Sequence, residues 1–168
     1  MADLSAFPIT NRWPAKNPDV IQLYSFPTPN GVKASIALEE LGLAYEPHKV
    51  TLADADVKSA EFLSLNPNNK IPAIVDHDNG LTLFESGAIM IYLAEKYGRF
   101  LPTEPLKRAR VMEWLMWQMG GLGPMLGQTH AFHHFNPGVS EWGEDRFLTE
   151  TRRLYGVLER RLDDRDYI

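Results

Sequence analysis

The chain has 168 residues, 44% of them hydrophobic, which is enough to bury a real core in one domain or two small ones. Its formal net charge of -5 is modest and its basic residues are interspersed with acidic ones, so no stripe is offered to nucleic acid. Cysteine is absent, which excludes disulfide staples, thiolate metal sites and any redox cycle on the protein's own sulfur.

No apolar run reaches the length that crosses a bilayer, and the start MADLSAFPIT lacks the basic-then-apolar layout of a secretory signal. A cytoplasmic protein without a membrane partner is expected. Residues 1–18, with Pro8, Pro14 and Pro18 and little periodicity, read as an N-terminal arm on a surface. From Asp19 onward VIQLYSF is a short β-rich run. NGVKASIALEELG then carries apolar residues near helical spacing and stops at Gly42. AYEPHKVTL reads as a second strand, and the stretch around Val57, Phe62 and Leu63 as a short helix or irregular turn. IPAIVD and LTLF, separated by HDNG, have the pattern of an antiparallel hairpin. In ESGAIMIYLAEKYG, Ile89, Leu93 and Tyr97 share one face, Glu95 and Lys96 point outward, and Gly98 supplies the stop.

The first module is thus β-α-β-α-β-β-α over 19–98, an α/β arrangement. A linker follows at 99–105, with Pro102 and Pro105, and then an all-α region at 106–168. LKRARVMEWLMWQM and SEWGEDRFLTETRRLYGVLERRL are the two long amphipathic helices there. Between them GGLGPMLGQTHAFHHFNPG predicts a kink or a bent helix.

Three stretches carry candidate chemistry. In YSFPTPNGVKAS the chain leaves a strand, passes two prolines and enters a helix, whose unpaired N–H groups and partial positive charge favour an anion such as a thiolate. Thr28 and Asn30 can each donate a hydrogen bond to a sulfur; the plainer reading is that Asn30 caps the helix and the prolines shape a turn. In SLNPNNKIPAIVD, Pro72 opens a strand and can leave the backbone of Ile71 exposed for an extended peptide, while Lys70 can meet a carboxylate or be a solvated charge. In FESGAIM, Ser86 and the N–H groups of a new helix suit a carboxylate and Glu85 suits an ammonium, or the three residues form a cap. Taken together, a thiolate, a peptide edge and an amino-acid head group describe γ-glutamyl-cysteinyl-glycine.

On these residues the chain resembles the glutathione transferases. LYSFPTPNGVKASIALEELGLAYE, FLSLNPNNKIPAIVDHDNG and LFESGAIMIYLAEKYG look like that family's thioredoxin-like domain, followed here by an all-α C-terminal domain that stops short. WLMWQMGGLGPMLGQTHAFHHF with RFLTETRRLYGVLERRL is similar to the nu class, which is related to a fungal prion-forming nitrogen regulator. The resemblance implies a cis bond before Pro72, pairing of the Ile71 backbone with the cysteinyl unit, γ-glutamyl binding at Glu85 and Ser86, and contact of Thr28 and Asn30 with the sulfur. It also implies that Arg146 reaches a glutathione carboxylate across a homodimer interface; its plainer role is a surface salt bridge.

Tyr24 and Ser25 invite comparison with classes that use Tyr or Ser on the thiol, but are placed here as strand-end residues. Nu-class members are similar to thiol-disulfide exchangers and hold two glutathione molecules or one glutathione disulfide per site. The implied function is therefore glutathione-dependent reduction of a disulfide or peroxide, or conjugation to an electrophile. The alternative is a non-catalytic glutathione-binding regulator or scaffold with the same fold. His130, His133 and His134 have no carboxylate or cysteine at ligand spacing, so no metal is expected; they are assigned to the second-substrate cleft or the interface. Trp114, Trp117, Met112, Met116, Met119 and Met125 are assigned chiefly to core or subunit contact.

Overall fold

Ile21–Ser25 forms strand β1, whose side chains alternate between two buried layers, as the pleat requires. The computed structural model in which this is seen describes residues 2–168. On one face Ile21 and Leu23 meet Ala34 and Leu38 of helix α1 (Gly31–Leu41) and Ile89 and Leu93 of helix α4 (Ser86–Tyr97). On the other, Tyr24 packs with Ile9, Val50, Phe62 and Val75. Strand β2 (Tyr45–Lys49) runs parallel to β1, while β3 (Ala73–Val75) and β4 (Thr82–Phe84) are antiparallel, in the order β2-β1-β3-β4.

Gly42 and Gly98 end α1 and α4 in the left-handed conformation, at φ 71° and 65°, as their place in the sequence predicts. The ambiguous stretch before β3 resolves into two single turns, α2 (Asp54–Val57) and α3 (Ala60–Leu63). The arm differs from its expected surface position. It forms two short 3₁₀ turns, Leu4–Ala6 and Pro8–Asn11, and its Leu4 and Ile9 are buried in the Tyr24 layer. Two isolated apolar residues have no periodicity, so this burial leaves no mark in the local pattern.

The chain divides into two compact units, one through Leu101 and one from Pro102. The second holds α5 (Pro105–Trp117), α6 (Gly123–His130) and α7 (Glu141–Leu162). The expected kink is a pair of widened π turns, Gln118–Leu122 and Ala131–Phe135, on either side of α6. Gly143 lets α7 approach the second of them, since a Cβ there would lie 2.6 Å from the Phe132 ring. Trp114 and Trp117 do not sit in a closed core: α5 has no buried residue, and the two indoles meet edge to face with Arg161 over Trp114.

Candidate functional site

Strand direction gathers three distant segments at one end of the sheet. Because β3 runs antiparallel to β1 and β4 antiparallel to β3, the C-terminal end of β1, the N-terminal end of β3 and the C-terminal end of β4 lie together. Thr28 and Asn30 follow β1, Lys70, Ile71 and Pro72 precede β3, and Glu85 and Ser86 follow β4. One step beyond the last registered pair, Ala73 with Phe84, Pro72 comes beside Glu85. The N-termini of α1 and α4 open at the same end, so their unpaired N–H groups make it attractive to anions.

Thr28, Asn30, Lys70 and Ile71 line one cavity of about 270 Å³, with Leu52 and Val57 as its apolar neighbours. The local hydrogen bonds decide between capping and availability. Thr28 Oγ1 accepts from the backbone N–H of Gly31 at 3.1 Å, so it is Thr28 that caps α1 with its side chain. A hydroxyl that accepts still has its own proton to donate. Asn30, at the N-cap position, makes no side-chain cap; its Oδ1 accepts from Lys33 Nζ at 3.0 Å. The plain capping role assigned to Asn30 is therefore taken by Thr28. Gly31 is obligatory here, because a Cβ would fall 2.0 Å from the Phe26 carbonyl oxygen.

The loop before β3 is organised by a residue that sequence reasoning passed over. Asn66 is buried, its Nδ2 donates to the Lys70 carbonyl at 2.6 Å, and its Oδ1 accepts from the Asn68 N–H at 2.9 Å. Asn69, which also lines the cavity, has φ 50°. The run NPNN was the available signal, since asparagine favours such turns. The Ile71–Pro72 bond is cis, Ile71 is buried, and Lys70 is exposed.

Glu85 and Ser86 lie outside that cavity's lining. Ser86 is the first residue of α4 and is buried; Glu85 is exposed at φ 72°, ψ 113°, a backbone conformation rare for a residue with a side chain. Lys33, a second residue missed from the sequence, is half-buried between the two helix starts. Burial pushes its ammonium below the usual lysine range, partly countered by the charge of Glu85.

Tyr24 is fully enclosed, edge-on to Trp13 and stacked on His48 at 4.5 Å, and burial drives its phenol well above the usual tyrosine range. Enclosed in that layer, Tyr24 is not among the residues that line the Thr28–Asn30 cavity. Ser25 lines a different cavity, of about 550 Å³, between α1 and β2. Arg146 belongs to the second unit, exposed on α7, and makes no salt bridge among the described residues. In the same unit His133 Nε2 lies 3.1 Å from the Glu144 carbonyl oxygen, and the His130 and His134 rings stack at 4.7 Å. Asp76, His77 and Asp78 bring ligand-type atoms within 4.8 Å of one another in the β3–β4 turn, but the Lys96 ammonium already sits on both carboxylates.

Residues 19–95 match the description "Glutathione S-transferase, N-terminal domain". Over 154 residues the chain is 51% identical to the disulfide-bond oxidoreductase YfcG of Escherichia coli K12, covering 89% of this chain and 72% of that protein. The chain belongs to the glutathione S-transferase family. Within it, the chain is related to YfcG, YghU and the Ure2 proteins, the nu-like branch, and it spans 54% of the length of YghU. A glutathione transferase from Pseudomonas putida, solved with one glutathione disulfide bound per subunit, is 55% identical with a TM-score of 0.94, over 99% of this chain and 75% of that one. One from Burkholderia graminis, solved with two glutathione molecules per subunit, is 55% identical with a TM-score of 0.95, over 100% and 72%. The fold is thus the transferase fold, a thioredoxin-like domain followed by a helical part. Among the described residues no helix is long and apolar enough to cross a membrane.

Proposed function

We propose that this protein binds glutathione at the end of the sheet where α1 and α4 begin, and uses its thiolate to reduce disulfides. The observation that carries the reading is the shared cavity of Thr28, Asn30 and Ile71 at a helix start, in a chain with no cysteine. A cavity of about 270 Å³ is smaller than the ~300–1,000 Å³ of typical ligand pockets, which fits the cysteinyl part of the tripeptide better than the whole. The remainder lies along the Ile71 backbone toward the start of α4, where Glu85 takes the γ-glutamyl ammonium and Ser86 with the helix N–H groups takes its carboxylate. Lys70 is assigned to a carboxylate of the same ligand.

The Thr28 hydroxyl and the Asn30 amide donate to the sulfur, stabilising the thiolate over the thiol. That thiolate attacks one sulfur of a disulfide in line, forming a glutathione mixed disulfide and expelling the other sulfur as a thiolate. A second glutathione thiolate attacks the glutathione sulfur of the mixed disulfide, giving glutathione disulfide and the second product thiol. Two glutathione molecules are oxidised for each disulfide reduced, and the protein contributes no sulfur. Peroxide reduction and addition to electrophiles draw on the same thiolate. A homodimer in which Arg146 reaches the partner subunit's glutathione carboxylate completes the proposal.

The test is steady-state reduction of a small symmetrical disulfide by glutathione, with glutathione disulfide followed through a coupled reductase. Turnover above the uncatalysed rate, saturating in glutathione, supports the reading. Calorimetric glutathione binding without turnover replaces it with the regulator reading, and no binding removes both.

A further inference from the structure

Asn30 lines the thiol cavity, yet its side-chain oxygen does not cap the backbone of the helix it begins. It accepts from the Lys33 ammonium, 3.0 Å away and one turn along α1. An ammonium only donates, so it selects the amide oxygen and leaves the Asn30 NH₂ group on the opposite side. Without such a partner an exposed asparagine at this position would sample both amide orientations, and only one of them donates to a sulfur. We infer that Lys33 is a positioning residue for the thiol site, holding the Asn30 amide with its NH₂ group toward the cavity.

Two further features fit this role. Lys33 is half-buried, so it keeps a defined place rather than sweeping through solvent, and the charged group that faces it from the neighbouring element is Glu85 at the start of α4. The capping of α1 does not depend on the arrangement, because Thr28 supplies it independently. Lys33 thereby links the residue proposed to hold the glutamyl ammonium to the residue proposed to hold the sulfur. The inference rests on the proposed glutathione reading, and its test separates the two.

Glutathione binding to the unaltered protein is measured first by calorimetry; absence of binding removes the underlying reading and this one with it. Where binding is present, the ultraviolet absorbance of the bound thiolate is followed across pH for the unaltered protein and for Lys33→Met and Lys33→Arg, together with kcat and KM for disulfide reduction. Displacing one donor from the sulfur is expected to lower kcat for Lys33→Met by about tenfold or more, to shift thiolate formation to higher pH, and to leave KM for glutathione within about threefold. Lys33→Arg, which keeps a donor and a charge, restores most of both. Lys33→Gln, which keeps a donor without the charge, serves if Lys33→Met fails to fold, and is expected to retain thiolate formation. The inference is overturned if glutathione binds but Lys33→Met leaves the thiolate titration unmoved, if KM alone changes, or if neither Arg nor Gln preserves the spectroscopic signal.

Discussion

Lys96 Nζ donates to Oδ2 of the fully buried Asp76 at 2.6 Å, and to Asp78 Oδ2 at 2.6 Å, tying α4 to the β3–β4 turn. Tyr92, one turn earlier on α4, donates to the same Asp76 oxygen. Burial alone would raise the Asp76 carboxyl, but the Lys96 and Tyr92 bonds outweigh it and hold the group below the usual aspartate range. Lys96 is correspondingly pushed above the usual lysine range, its partners overcoming its own burial. Removing the cation leaves a buried carboxylate uncompensated, so Lys96→Met is expected to destabilise the first unit by about 3 kcal/mol in urea denaturation. The sign with pH follows from the two directions. The Asp76 contribution is present above the unfolded aspartate value of about 3.9 and is lost as pH falls through the folded one; the Lys96 contribution is present below about 10.4 and is lost as pH rises through its folded value. A variant whose denaturation midpoint matches the unaltered protein at pH 7 contradicts this account.

His48 is buried against Tyr24, and its Nε2 lies 2.8 Å from Gln22 Oε1. Gln22 uses its own amide hydrogens on the Asn17 and Val20 carbonyls, so its oxygen is the acceptor and His48 carries its proton on Nε2. Burial depresses the imidazole below the usual histidine range, with Glu46 opposing. Because the folded value is the lower one, the unfolded chain binds the proton first. Stability is complete above about pH 6.5 and declines as pH falls through the folded value. Chemical denaturation between pH 7.5 and 5 is expected to show this loss, and His48→Phe to show a smaller slope over the same interval. Equal slopes would rule out His48 as the source of the loss.

The strands, α1 and α4 were legible because each is decided locally: a short β-rich run bounded by turn residues at VIQLYSF, helical spacing in α1 and α4, and glycines at the two helix ends. The convergence of Thr28, Ile71 and Glu85 was not a local property. It depends on strand direction and register, which follow from long-range pairing, and the family resemblance supplied what periodicity did not. Lys96 was misplaced as an outward charge because helical position predicts where a Cβ points but not where a long, flexible stem bends back. Asn66 and Lys33 escaped notice because their importance lies in side-chain hydrogen bonds, and a hydrogen bond has no period.

Thr28 caps α1 through its hydroxyl oxygen and is proposed to donate the hydroxyl proton to the sulfur. Thr28→Ala removes the cap on Gly31 and the hydroxyl donor together, so it is expected to lower stability by about 1 kcal/mol and turnover by about a hundredfold, with glutathione affinity changed only a few-fold. Thr28→Ser keeps the oxygen and should retain both. Glutathione titration, kcat and urea midpoints of the two variants provide the check. Full turnover in Thr28→Ala with a disulfide substrate rules out its proposed role on the sulfur.

Glu85 stands at φ 72° without being glycine, a conformation that costs a side-chain-bearing residue about 1–3 kcal/mol. A protein that retains such a residue at a helix start gives up stability there, and the proposed binding of a γ-glutamyl ammonium is what that position gains in return. Glu85→Gly relieves the backbone and removes the carboxylate, so it is expected to raise the urea midpoint while weakening glutathione binding by at least about tenfold. Glu85→Ala removes the carboxylate and keeps the backbone penalty, so it should weaken binding equally without the gain in stability. If Glu85→Gly bound glutathione as tightly as the unaltered protein, the conformation would belong to the turn between β4 and α4 alone, and the assignment of Glu85 to the ligand would fall.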